Sequence, residues 1–172
     1  MPNHCEQDLW VSGPKTELNK FVEYSKTLDD GFGTSHVLDH NKFIPYPEHF
    51  KQMDIAADEA RNNMKAGAPF VLVKDGFNSG GYEWCRENWG TKWGIYDEVL
   101  VYHKSNKVKY TFLSAWSPAS KIILAMSKHF PTLTFLLKYY ECGAAYKGVY
   151  EVKGGEVIQD IVDNNYHGNR GG

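Results

Sequence analysis

The residue types able to recognise a ligand crowd into one stretch of this chain, Trp84 to Trp93, and are answered further on by Trp116-Ser117-Pro118. Trp84 and Asn88 are four apart, as are Cys85 and Trp89. A helix here sets a ring beside an amide on one face and a thiol beside a ring on the next. Gly90 stops that helix. Asn88, Thr91 and Lys92 then bring a carboxamide, a hydroxyl and an ammonium to a place where they can converge on an anionic or base-like ligand. Trp89, Trp93 or Trp116 can supply a stacking plate. The candidate ligand-binding set is Trp84, Asn88, Trp89, Thr91, Lys92, Trp93, Trp116 and Ser117. The competing reading is a small core, in which the four tryptophans pack on one another and Asn88 bonds to a turn.

Other chemistry is poorly represented. His4, Cys5, Cys85, His103, His129 and Cys142 are good metal-ligand types, but no pair among these six has CxxC or HxxxH spacing, so no metal site is expected. Neither Cys85 nor Cys142 has neighbours that lower a thiol's pKa, which argues against a nucleophile. Glu83 with Glu87, and Asp29 with Asp30, read as solvated charge rather than an acid/base pair. The glycines at 76, 80 and 81 form neither GxxxxGK[ST] nor GxGxxG, so no nucleotide cofactor is expected. The chain therefore reads as non-enzymatic. Basic and aromatic residues interleave over Lys104 to Tyr110 and at Lys138-Tyr139-Tyr140, as on the sheet face of single-stranded RNA readers, without the RNP-type signature. Single-stranded nucleic-acid binding is thus one alternative.

With 172 residues, 42% of them hydrophobic, the chain can fill one core without disulfide or metal support. A net charge of −2 lacks the broad cationic field that general double-stranded DNA binding needs. Three widely separated cysteines fit reduced thiols in a bacterial or host cytoplasm. No basic, apolar leader opens the sequence, and no uncharged apolar run approaches the roughly 18 residues of a spanning helix, so no membrane partner is expected. Five Trp and eleven Tyr are more rings than one core readily buries with every polar tip satisfied.

The elements that must position the candidate set follow from periodicity. Leu9-Trp10-Val11 reads as a strand stopped at Ser12-Gly13-Pro14, with Thr16 capping a helix over 17–28 whose apolar residues Leu18, Phe21 and Val22 recur at helical spacing. Phe43 to Pro47 is an edge or irregular crossover. A peripheral helix spans 53–65, and Phe70 to Val73 is a strand or part of a loop-rich insertion. Tyr82 to Trp89 forms a short helix. Residues 99–102 and 108–115 form a hairpin through Ser105-Asn106. Ser117 or Ser120 caps a helix carrying Ile122, Ile123, Met126 and Phe130. Residues 132–140 and 144–152 pair, and 156–161 adds a further strand. This order predicts an α+β fold: a ferredoxin-like antiparallel sheet with two main helices on one face and an inserted helical and loop segment at about 54–81. It occupies residues 1–162 as a single domain, and residues 163–172 form a flexible tail.

Several blocks also resemble a known family: Met1-Pro2-Asn3 with Cys5; Asn41 to Pro45 followed by Pro47-Glu48; Trp84-Cys85 with Asn88 to Trp93; and Ala115 to Pro118. Together they are similar to the YubB-type ferredoxin-like family of bacteriophages and plasmids, over Met1 to about Val152, with a departure between 54 and 81. The resemblance implies a ferredoxin-like fold and a mobile-element origin, and no catalytic residues. Joined to the residue reading, it leads us to expect a non-catalytic phage or plasmid accessory protein acting in the host cytoplasm. It would bind a nucleotide-like small molecule or a host protein through the tryptophan-rich site and counter host defence by sequestration. The alternative is a protein-interaction module that inhibits a host enzyme or forms a homo-oligomer.

Overall fold

A computed structural model describes residues 3–29, 34–63 and 74–163. The first strand, β1 (His4–Ser12), buries every second residue, Cys5, Gln7, Leu9 and Val11, as a strand with one covered face must. It lies at the sheet centre, antiparallel to both β3 (Lys107–Ala115) and β4 (Thr134–Glu141), so Leu9 stands between Tyr110 and Leu137. Outside these lie β2 (Tyr96–Lys104), β5 (Tyr146–Lys153) and β6 (Glu156–Asp163), giving six antiparallel strands in the order β2-β3-β1-β4-β5-β6. The first four strands, with a helix between β1 and β2 and another between β3 and β4, make the ferredoxin-like unit the sequence predicts. The hairpin β5–β6 widens it.

Two helices cover one face. Helix α1 (Lys15–Ser25) lays Leu18, Phe21, Val22 and Ser25 on the sheet, at the spacing of one helical stripe. Phe21 is the hinge pin of the core, with ring centroids 5.3 Å from Phe130, 5.4 Å from Phe135 and 6.1 Å from Tyr110. It thereby ties α1 to two strands and to the end of α4 (Ser120–His129), whose Ile122, Ile123 and Met126 are buried beside it. Full burial of side chains this large stabilises by about 1.5–3 kcal/mol each.

The segment between α1 and β2 holds α2 (Glu48–Asn62) and the short α3 (Gly81–Asn88). Helix α2 starts before the expected 53, since Pro47 fixes φ at its N-cap and Glu48 opens the first turn. It buries only Ala57, consistent with a peripheral element. The stretch 43–47 is an irregular crossover, not a strand. Thr16, Ser117 and Ser120 cap nothing: Pro14 and Ala119 hold the N-cap positions of α1 and α4 without a side-chain cap bond of their own. The expected run at 70–73 and the tail beyond 163 lie outside the described residues. Strand β6 extends to Asp163, past the expected 161. No helix among the described residues is long and apolar enough to cross a membrane.

Candidate functional site

The eight residues singled out by sequence do not form one site, because the chain turns at Gly90 and parts them. Helix α3 ends there, with Gly90 at φ +79° and its N–H bonded to Cys85 O at 3.1 Å. On the near side, Trp89 is only 5% exposed. Its indole N–H donates to Ile44 O at 2.9 Å, and its ring meets Trp84 edge-on at 5.1 Å, His40 at 4.6 Å and Tyr46 at 5.6 Å. Asn88 turns its amide back to Trp84 O at 2.9 Å. Thr91 is 1% exposed, and its hydroxyl donates to Trp93 O. Trp84, Asn88, Trp89 and Thr91 are therefore occupied in packing and turn closure.

His40 and Tyr46, which close over Trp89, carried no local signal, since they lie more than 40 residues upstream. His40 is buried at a short 3-10 turn, and burial first of all drives its imidazole down to about 4, against the opposing pull of Asp39. At neutral pH it is an uncharged packing group. Gly94 lies against its ring so closely that a Cβ there would fall 1.8 Å from Nε2.

A cleft of about 510 Å³ does open beside this cluster, edged by Trp89, Tyr46, Asn41, Asp39, Glu48 and Asp54. Its further carboxylate, Asp29, and its one ammonium, Lys51, leave it strongly acidic. A phosphate entering it would meet four carboxylates against one lysine, so the cleft has the wrong sign for a nucleotide.

On the far side of Gly90 the picture reverses. The Lys92 ammonium bridges two indoles, 5.0 Å from the Trp93 ring centroid and 4.6 Å from that of Trp116. Trp93 in turn lies 6.4 Å from Tyr96, whose hydroxyl meets His4 Nδ1 at 2.7 Å. Trp116 is 43% exposed although it holds φ +67°, a left-handed conformation that costs an ordinary residue about 1–2 kcal/mol. Three hydrogen bonds hold it there: Trp116 N–H to Asn3 O at 3.0 Å, Ser117 N–H to Ala115 O at 2.9 Å, and the Tyr146 hydroxyl to Trp116 O. Ser117 acts through its backbone, its carbonyl accepting from the Ser114 hydroxyl at 2.5 Å. Lys92, Trp93 and Trp116 thus form a compact aromatic and cationic group with an exposed ring.

The two buried thiols are poor nucleophiles. Burial pushes Cys5 and Cys85 up to about 12, so both stay protonated at neutral pH. Among the described residues no group of three or more His, Cys, Asp or Glu is placed to hold a metal ion.

Residues 88–169 match a family model described as a ferredoxin-like domain in Api92-like protein. A solved structure, protein api92 from Yersinia pseudotuberculosis, is similar in fold, with a TM-score of 0.56 over 94% of this chain and 98% of that one at 9% sequence identity. At that identity the likeness speaks to the fold alone. No curated protein matches the chain. The family model shares with the resemblance drawn from the sequence the ferredoxin-like domain, and the structural likeness is one of fold over most of the chain.

Proposed function

We propose that this chain is a non-catalytic accessory protein of a phage or plasmid, of the YubB-type kind, that binds a nucleotide-like ligand by stacking its base on Trp116. The observation that carries the reading is the exposed indole pinned in a left-handed backbone beside Lys92 and Trp93. Strain held in place by three hydrogen bonds is a feature that recurs at ligand sites. Lys92 does not block the plate. An exposed cation–π contact is worth about 0.5–1 kcal/mol, whereas a base stacked on an aromatic side chain is worth roughly 1–3 kcal/mol. The base displaces the ammonium, which is then free to meet a phosphate. No bond is made or broken, so the biological effect would be sequestration in the host cytoplasm, consistent with blunting a host defence.

The test is tryptophan-fluorescence titration with AMP, GMP and a cyclic dinucleotide. Trp116→Ala is expected to weaken the best of these at least tenfold, and Lys92→Gln about three- to tenfold, with unchanged melting temperature. Equal affinity in the parent and Trp116→Ala would refute the base-stacking role.

A second reading, protein association, is favoured by β6. Among the described residues it is an edge strand, with Val157, Ile158, Ile161 and Val162 all more than half exposed. A partner strand or a second copy could add there. Sedimentation showing a monomer at high concentration and no added mass from host lysate would exclude it.

A further inference from the structure

The sheet face opposite the two helices carries a second aromatic and lysine group at the end remote from Trp116. Trp10 lies between Lys109 of β3 and Leu136 of β4 in the strand register. Its ring meets that of Tyr102 edge-on at 6.0 Å. The ammoniums of Lys107 and Lys109 stand 4.5 Å and 5.0 Å from the Trp10 centroid, and that of Lys104 stands 5.2 Å from the Tyr102 centroid. This repeats the arrangement of Lys92 on Trp93 and Trp116.

A lane of lysine and aromatic side chains joins the two groups, interrupted by carboxylates only at the β2 bulge between Tyr96 and Val99, where Asp97 and Glu98 lie. On β3 the residues facing away from the helices are Lys107, Lys109, Thr111 and Leu113. Their partners on β2 are Lys104, Tyr102, Val99 and Tyr96. Tyr96 ends the lane 6.4 Å from Trp93, at the group that holds Lys92. Acids fence it on the other side, with Glu6 and Asp8 on β1, and Asp8 is partnered by Lys109 at 3.1 Å. The net charge of −2 therefore conceals a local lane of the opposite sign. The distance from one group to the other is six residues along a strand, or about 20 Å at roughly 3.3 Å per residue. That is too long for one nucleotide and suits a stretch of several.

We propose that the ligand is a single-stranded nucleic acid, lying along the β2–β3 lane with one base on Trp116 and another on Trp10, its phosphates met by Lys104, Lys107, Lys109 and Lys92. This rests on the base-stacking role of Trp116 and extends it to a polymer. A base that takes the Trp10 ring releases Lys107 to a phosphate, while Lys109 keeps Asp8 as a second partner. Because stacking reads no base edge and nothing in the lane singles out a 2′-hydroxyl, binding should depend on length and salt more than on sequence or sugar.

The experiment is fluorescence anisotropy with a labelled oligothymidylate of ten nucleotides, its oligouridylate counterpart and AMP, at two salt concentrations. The parent is expected to bind both decamers within about threefold of each other, and at least thirtyfold more tightly than AMP. Trp10→Ala should weaken the decamers about tenfold and leave AMP unchanged. Lys107→Gln, at an exposed hairpin position with no role in the core, should weaken them and flatten the salt dependence by about one phosphate's worth. Decamer binding untouched by both Trp10→Ala and Lys107→Gln overturns the lane while the Trp116 site stands. Loss of the lane's effect together with equal AMP affinity in Trp116→Ala overturns both. A parent that binds the decamer no better than AMP overturns the polymer alone.

Discussion

Gly94→Ala is expected to destabilise the protein by about 3 kcal/mol or more, at the upper end of what overpacking costs. The added methyl would lie 1.8 Å from His40 Nε2 and 2.3 Å from Cε1, so the imidazole must leave its place. It has nowhere to go. Its ring is packed on Trp89, and its backbone carbonyl accepts from the N–H groups of Phe43 and Ile44, both at 3.0 Å. His40→Ala alone should cost about 2 kcal/mol through the cavity it leaves. In the double variant the methyl enters that cavity, so urea denaturation should return a loss smaller than the sum of the single losses by at least 1 kcal/mol. Additive losses would mean that the ring and Gly94 do not share this space. Because Gly94 follows Trp93 directly, the single variant should also weaken ligand binding, and the double variant should recover part of it.

Gln7→Leu should cost about 3 kcal/mol, lowering the melting temperature by roughly 6–12 °C for a chain of this length. The side chain is fully buried and ties three elements together. Its Oε1 accepts from the Ala119 N–H at 2.9 Å, which supplies at long range the cap that no local serine provides for α4. Its Nε2 donates to the Ser114 hydroxyl at 2.6 Å, which donates in turn to Ser117 O at 2.5 Å. Leucine matches the volume and adds apolar contact, but it strands a buried backbone donor and unlocks the turn that presents Trp116. A thermal melt within 2 °C of the parent would show that solvent satisfies Ala119 and that the network is incidental.

The hairpin and the last helix were legible because their signals are local. Lys107, Lys109 and Thr111 alternate with Val108, Tyr110 and Phe112, and the structure puts these two sets on opposite faces. Ile122, Ile123, Met126 and Phe130 recur at helical spacing, and all four are buried. The helix caps were not legible, since Ser and Thr propensity says nothing about a glutamine 112 positions away in sequence that reaches the start of α4. The same limit parted the candidate site. Trp84, Trp89, Trp93 and Trp116 are alike in type, and helical spacing places Trp84 on α3 and Trp89 at its C-cap, but only the upstream ring of Tyr46 and the imidazole of His40 decide which indole is sealed. Trp10 gave a strand signal alone, because its neighbours Tyr102 and Lys107 come from strands distant in sequence.

The indole N–H signals of the five tryptophans, followed by NMR as unlabelled oligothymidylate is added, bear most directly on where the ligand sits. Those of Trp116, Trp93 and Trp10 should move in a saturable manner while those of Trp89, sealed behind Tyr46 and His40, and of Trp84, packed against Tyr46 and Trp89, stay in place. Movement of Trp89 alone would put the ligand in the acidic cleft, and five stationary signals at saturating oligonucleotide would contradict stacking recognition altogether.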